Sequence, residues 1–538
     1  MPPKKKAATQ QSLEATLWAA ATKLRGKMDT ADYKHVVLGL IFLKYVSDVF
    51  TQRRDQLIAL VDDPDSDYFM PNEAAKQMVL EDRDEYTSQG VFWIPENHRW
   101  DDLRANAKAT DKSIGVRIDE AMDAIERENP SLKGVLPKNY SRQELTPEML
   151  AGLIDVFSRD DLASEEHRDL DVLGRVYEYF LGGFAGGEGK RGGEYYTPRS
   201  VVSLLVEMLQ PYKGRVYDPA CGSGGMFVQA DKFTRAHGGT RNDISVFGQE
   251  SNPTTWRLAK MNLALRGIDA NLGNEWGDTF HADKHPDLRA DYVIANPPFN
   301  QDDWDDNLHL RQDPRWKHGV PPTGNANYAW IQHMLAHLAP TGTMATLLAN
   351  GSLSSQQNGE GEIRKALVEA DLVECVVALP GQLFFGTQIP VCVWFLTPNK
   401  AGALNGHRTR DRRGETLFID ARSVGYMETR TVRAFTEADI NKVADAYHSW
   451  RGTETNDGEP YSDLAGFCAA VRTADIAARN FVLTPGQYVG SEVVEDDAEP
   501  LDERLVRLSG MIRSGLKQRE DLHVAVKAVL DALEVGRG

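Results

Sequence analysis

Residues Gly214 to His237 read GRVYDPACGSGGMFVQADKFTRAH. GRVYD has the character of a short strand, the next residues form a glycine-rich loop, and MFVQADKFTRAH has the period of a helix. The same alternation continues outward. Before the segment, SVVSLLVEML (Ser200–Leu209) reads as a helix. After it come a strand in ISVFGQE, a helix in PTTWRLAKMNLALRG, a strand and loop in ADYVIANPPF, and a helix in NYAWIQHMLAHL. Further strands are expected at GTMATLLAN, LVECVVALP and PVCVWFL. Strands alternating with helices predict an α/β fold with a doubly wound, mostly parallel sheet and ligands at the carboxyl ends of its strands.

The bulk properties bound the rest. A chain of 538 residues is long enough for two or three domains, and 41% hydrophobic with 26% charged residues is a globular composition. The apolar run VVLGLIFL, closed by Lys34 and His35 before it and Lys44 after it, is too short to span a bilayer. MPPKKK runs into AATQQSLEA rather than into a signal-peptide core, so no membrane contact and a cytoplasmic location are expected. Cys221, Cys375, Cys392 and Cys468 form no CxxC pair and no His/Cys cluster, which predicts neither a disulfide framework nor a metal. The net charge of −18 is the reverse of what a protein gripping nucleic acid alone would carry. Either nucleic acid is not the ligand or a partner supplies most of the grip.

Three regions follow. Residues 1–165 are predicted to be a helical domain, with Ser12 capping SLEATLWAAATKL and a second helix in YKHVVLGLIFLKYVSDVF. Residues 166–430 hold the α/β pattern, entered through the glycine-rich run Gly182–Pro198, a linker or lid with no P-loop frame. Residues 431–538 are expected to be a helical, partner-docking tail, with Leu501, Leu505, Leu508, Ile512 and Leu516 along one helix face.

Several short stretches carry chemistry. In YDPACGSGGMF, Gly222, Gly224 and Gly225 let the backbone turn and approach a ligand in front of a helix N-terminus. Such a loop serves packing as readily as binding. Asp218, Glu250 and Asp278 each follow a strand region and can line one cleft; Glu250 can equally cap a neighbouring helix. In GGEYYTPRS, Thr197 suits a helix N-cap and Pro198 the first helical position, next to which a carboxylate would also be held. In NPPF, Asn296 offers an amide oxygen, and the Pro297 carbonyl faces no N–H from Pro298. Two acceptors on a stiff turn suit an –NH2 group, and Phe299 adds a flat face.

DPACGSGG followed by NPPF, with EYYTPR ahead of both, resembles the γ order of amino-methylating, S-adenosylmethionine-dependent DNA methyltransferases. VFWIPENHRW, LGRVYEYFLGGFA, LPGQLFFGTQIPVCVWFL and ARNFVLTPGQYV narrow the resemblance to the modification subunit of type I restriction–modification systems (HsdM), over nearly the whole chain. It implies a Rossmann-like methyltransferase sheet with an N-terminal helical domain and a helical C-terminal tail. It also implies transfer of methyl from S-adenosyl-L-methionine to N6 of an adenine flipped from double-stranded DNA. Asn296, Pro297, Pro298 and Phe299 would be catalytic, and Phe384 or Phe385 would pack the other side of the base. Glu194, Tyr195, Tyr196, Thr197, Pro198, Arg199, Cys221, Gly222 and Ser223 would surround the methionine portion of the cofactor. Asp218 would face its amino group, Glu250 its ribose and Asp278 its adenine amine. A specificity subunit (HsdS) would read the site, with two methyltransferase subunits for each, and a restriction subunit (HsdR) would complete the complex. Competing expectations are a methyltransferase of the same fold acting on RNA or protein, and a cofactor-binding assembly subunit without turnover.

Overall fold

The computed structural model describes residues 13–26, 28–109, 111–158, 171–188, 197–240, 243–305, 308–384, 389–404, 407–453 and 460–491, with Ser509, Arg513 and Lys517 beyond them. Glu194, Tyr195, Tyr196, Phe385, the Ser12 cap and the leucine stripe from Leu501 lie outside these residues. Met1–Gly490 forms one compact unit and Ser491–Gly538 a second; the architecture below is that of the first.

The N-terminal region is helical: α1 (Leu13–Leu24), α2 (Thr30–Asp62), α3 (Ile114–Glu128), α4 (Pro147–Phe157) and α5 (Asp171–Glu188) are its principal helices. On α2, Val36, Val37, Leu38, Leu40, Ile41, Phe42 and Leu43 are all fully buried, so this stretch is covered on every side. The helices α4 and α5 pack on it, α1 packs on α4 and α5, and Tyr33 Oη of α2 donates to the Ala21 carbonyl of α1 at 2.5 Å. Close approach is paid for in side-chain volume at Gly39, where a Cβ would lie 2.2 Å from Tyr140 Oη and 2.6 Å from Pro137 Cγ. Tyr140 Oη donates to the Val36 carbonyl at 3.0 Å, so it has little freedom to retreat. Gly39→Ala is therefore expected to cost about 1–3 kcal/mol, the usual range for overpacking, measured by urea denaturation.

The sheet contains β1 (Gly214–Asp218), β2 (Ile244–Gly248), β3 (Ala270–Asn271), β4 (Ala290–Ala295), β5 (Leu338–Ala349), β6 (Val373–Ala378), β7 (Val391–Leu396), β8 (Glu415–Asp420) and β9 (Cys468–Arg472). Their spatial order is β9-β8-β6-β7-β5-β4-β1-β2-β3. The expected mostly parallel sheet is present: β7 runs antiparallel to β5 and β6, β9 runs antiparallel to β8, and every other pairing is parallel. Alternate strand residues enter two different cores. Val216, Ile294, Leu347 and Val393 join the core that continues into the N-terminal helices. Tyr217, Val293, Leu348 and Trp394 join a second core on the opposite face.

The sheet extends further than the sequence pattern indicates. ETLFID (β8) pairs with β6, and CAAVR (β9) closes the edge beyond it. Residues 431–490 are thus not a separate helical region: β9 lies in the sheet, and the helix Glu437–Arg451 packs on the helix Arg199–Leu209. Both strands are short; β8 follows the arginine-rich stretch HRTRDRRG, and β9 follows a long polar stretch after the helix Glu437–Arg451, so neither continues the alternating α/β pattern.

Candidate active site

Chain order reverses at β1, which has β2 on one side and β4 on the other. In an open α/β sheet the crevice outside the carboxyl ends of such strands is the ligand site. Asp218 ends β1 and Asn296 follows β4. A cavity of about 430 Å³ opens there, within the usual size of small-molecule sites. It brings together Thr197, Asp218, Cys221, Gly222, Ser223, Glu250, Asp278, Asn296, Pro297 and Pro298, ten of the positions singled out from sequence. Pro198 and Arg199 line a neighbouring cavity of about 740 Å³ instead.

The glycine loop is shaped by backbone bonds. Gln249 N–H donates to the Asp218 carbonyl at 3.0 Å, and Cys221 N–H donates to that of Gln249 at 2.9 Å. Gly224, at φ +79°, precedes the helix Gly225–Ala236 without a side-chain cap, and a Cβ there would sit 3.3 Å from Leu263. Its left-handed backbone is one that glycine adopts without strain. Glu250 ties this loop to β2: Oε2 accepts from Gly222 N–H at 3.1 Å and Oε1 from Asn252 N–H at 2.8 Å.

Asp218 is almost fully buried and accepts one bond, from Ala220 N–H at 2.9 Å. Burial pushes its carboxyl up to about 8, helped by the Glu250 charge and opposed by the Ala220 N–H. The Cys221 thiol is pushed far up by burial and by the same two acids, so it is no nucleophile at neutral pH. Asp278 is nearly half exposed; one oxygen accepts from Phe280 N–H and His281 N–H, both at 2.9 Å. Its loop is held by a residue that sequence inspection passed over. Gln249 is fully buried, and its amide donates to the carbonyls of Gly277 and Ala282 while accepting from Lys284 N–H.

The NPPF turn is braced at both ends. Asn296 Nδ2 donates to Thr197 Oγ1 at 2.8 Å. Thr197 is therefore not the helix cap: the helix starts at Arg199 with Pro198 at the cap position, and the hydroxyl is directed to Asn296. At the far end Asn300, at φ +50°, exchanges two hydrogen bonds with buried Asn327 (3.1 and 2.8 Å). An asparagine tolerates this backbone better than most residues. Asn296 Oδ1 is buried and has no hydrogen-bond partner among the described residues. An unsatisfied acceptor of this kind costs free energy unless a ligand completes it. Phe299 and buried Phe384 meet edge to face, with ring centroids 5.8 Å apart.

The model of the N-6 DNA Methylase family matches residues 168–497, and that of the HsdM N-terminal domain matches residues 13–157. The chain belongs to the N-6 DNA methylase family. This methylase is 50% identical over 427 residues to the type I restriction enzyme HindI methylase subunit of Haemophilus influenzae, covering 78% of this chain and 93% of that one. It is 40% identical over 526 residues to the MjaIX methylase subunit of Methanocaldococcus jannaschii, covering 97% and 91%. Among solved structures it resembles the type I restriction–modification methyltransferase subunit of Streptococcus thermophilus, with a TM-score of 0.71 and 26% identity over 89% of this chain and 99% of that one.

A second polar cluster of the methylase lies in the opposite core. Asp283, His333 and His337 have ligand-type atoms within 4.8 Å of one another. Hydrogen bonding already occupies His333: Arg315 Nη1 lies 3.0 Å from Nδ1, and a guanidinium only donates, so Nε2 carries the proton toward Tyr217 Oη at 3.0 Å. This cluster ties β1 to the helix Asn327–Ala336 rather than offering free ligands. No helix among the described residues is long and apolar enough to cross a membrane.

Proposed function

We propose that this methylase transfers the methyl group of S-adenosylmethionine to N6 of an adenine flipped out of double-stranded DNA, as the modification subunit of a type I restriction–modification complex. The observation that carries the chemistry is the unpartnered, buried Asn296 Oδ1 beside the Pro297 carbonyl. The residues present fit the cofactor. Asp218 suits its ammonium, Glu250 its ribose hydroxyls and Asp278 its adenine amine, while Cys221, Gly222 and Ser223 supply a close backbone. When bound, the cofactor supplies an already activated sulfonium methyl, so alignment and electrostatics are what the protein must add.

Adenine N6 is a poor nucleophile because its lone pair is delocalised into the ring. Asn296 Oδ1 and the Pro297 carbonyl would each accept one N–H of the amine, localising the lone pair and aiming it. The Thr197 hydroxyl holds the amide so that the oxygen, not the nitrogen, is available. Phe299 would stack on the base. A base sandwiched between parallel rings needs about 7 Å between them, so Phe384, perpendicular to Phe299, would bound the base by its edge unless its ring turns. The net charge of −18 agrees with DNA grip and sequence choice by a specificity subunit.

Methyl transfer from labelled cofactor to DNA, with and without the specificity subunit, tests this directly. Label in DNA adenine that depends on that subunit is expected; label in RNA or protein would redirect the substrate.

The state of Asp218 gives a second expectation. Its folded-state value of about 8, against 3.8 for the free group, means that the ligand-free protein carries this proton at neutral pH. The associated stability is present in full below about pH 3.8 and is lost as pH rises to about 8. An ammonium at Asp218 favours the ionised form, so binding should release a proton and affinity should rise with pH up to about 8. Titration calorimetry with S-adenosylhomocysteine, in buffers of different ionisation enthalpy at pH 6–7, should approach one proton released per site. No release would place the ammonium elsewhere.

A further inference from the structure

Beyond Asn296 the same turn runs on to Gln301, which is partly buried and lines the cavity together with Trp330, Asp278 and Thr279. Gln301 is held at two points. Its backbone carbonyl accepts from Ala326 N–H at 2.9 Å, and its side-chain Oε1 accepts from Trp330 Nε1 at 3.3 Å. An indole N–H only donates, so this bond fixes which way round the amide sits. Oε1 is turned to Trp330, and the Nε2 donors have no hydrogen-bond partner among the described residues.

Trp330 connects this amide to the Asp278 loop. Its ring packs on that of Phe280, with centroids 4.4 Å apart, and Phe280 N–H donates to Asp278 Oδ1. The other side-chain donors nearby are spent. Thr279 Oγ1 donates to the Pro219 carbonyl at 2.6 Å, and Asn296 Nδ2 donates to Thr197. Gln301 thus presents an oriented donor on the side of the cavity that Asp278 also lines.

We infer that Gln301 is a specificity-determining residue for the cofactor's adenine, its Nε2 donating to a ring nitrogen beside the amine that Asp278 takes. This rests on the cofactor assignment above. Adenine presents its N6 amine as a donor, flanked on the ring by two acceptors, N1 and N7. A carboxylate satisfies the amine, but it does not tell adenine from another amine. An amide donor supplies the complementary half, because a base without the ring acceptor leaves that donor unpaired. Gln301 and Asn296 follow one scheme: a neighbouring side chain takes one end of an amide and leaves the other to the cavity. At Asn296 the free end is the oxygen, which suits an amine; at Gln301 it is the nitrogen, which suits a ring acceptor.

The test uses the full chain and calorimetric binding, with no turnover. Wild type is titrated with S-adenosylhomocysteine and with its 1-deaza, 3-deaza and 7-deaza analogues, each with one ring nitrogen replaced by C–H. Either the 1-deaza or the 7-deaza ligand should bind about 10-fold more weakly than the parent, the scale of one hydrogen bond whose donor is left unpaired. Gln301→Glu keeps an acceptor for Trp330 Nε1 but loses the donor, and Gln301→Met loses both. Both variants should weaken the parent ligand by a similar factor and abolish its advantage over that deaza ligand. The ratio of parent to 3-deaza affinity should be the same in all three proteins, which shows that the site remains folded. No discrimination by wild type, or discrimination that survives both substitutions, would overturn the role of Gln301 while leaving the cofactor site in place. Single-turnover methylation of DNA carrying 1-deazaadenine or 7-deazaadenine at the target position supplies the other arm. Discrimination there that depends on Gln301 would assign its donor to the target base and overturn the inference; none is expected. Absence of any binding by wild type would overturn the cofactor assignment and this inference together.

Discussion

Asn296→Ala is expected to lower the single-turnover rate of DNA methylation about 10²- to 10³-fold, the cost of removing one preorganised acceptor or donor from a reacting centre. Cofactor affinity should be unchanged, because the acids, the glycine loop and the helices that would hold the cofactor do not depend on this amide. Stability should not fall either. The wild-type side chain makes one hydrogen bond, to Thr197, but leaves Oδ1 buried without a partner. Truncation loses the first and relieves the second, terms of similar size. A variant that is dead, binds cofactor and melts no lower than wild type identifies an atom maintained for catalysis. A matching loss of cofactor affinity would instead place Asn296 in the cofactor site and sink the amine-clamp mechanism.

The largest effect on stability is expected at the opposite end of the sheet. Glu374 of β6 is fully buried; Oε1 accepts from Arg412 Nε at 3.1 Å and Oε2 from Tyr447 Oη at 2.8 Å, with Arg451 Nε 3.7 Å away. Burial alone would raise this carboxyl, but the Arg451 and Arg412 charges overcome it and hold the pKa below its ordinary value. Glu374→Gln leaves two buried guanidinium groups without their counter-charge, and about 3–5 kcal/mol should be lost, measured by chemical denaturation. Glu374→Met with Arg412→Met should lose less than the two single changes added together, because the pair then disappears as a unit. The pH dependence follows from the lowered value. The stability that this carboxylate contributes is present above its unfolded value of 4.5 and is lost as pH falls through the lower folded one. A denaturation midpoint that does not respond to either substitution would show the network to be dispensable.

The two residues differ in how far they could be read from the chain. Asn296 was legible because its turn is local: an apolar strand, two prolines and a ring are contiguous. Asp218 and Glu250 were legible for the same reason, each closing a strand beside a loop of recognisable composition. Gln249 was not, since a glutamine at a strand end has no pattern of its own until the chain returns at Gly277 to Lys284 to meet it. Thr197 looked like a cap because the sequence TPRS shows only neighbours, whereas its hydroxyl is bonded to a residue 99 positions away. Strands β8 and β9 escaped because a short apolar run becomes a strand only where an open sheet edge lies ready to pair with it.

The sequence by itself determined the α/β alternation, the glycine loop, the three acids and the NPPF turn, all of which depend on residues within about a dozen positions of one another. Tertiary structure alone decided which of them share a cavity. The reversal of strand order at β1 and β4 set Asp218 beside Asn296, and α5, tied to the methylase domain through Glu178 to Lys232 and Arg266 and packed on α2, carried Leu181 and Lys34 to the same opening. Contacts across more than a hundred residues depend on how buried faces are shared between layers, and no local pattern encodes that.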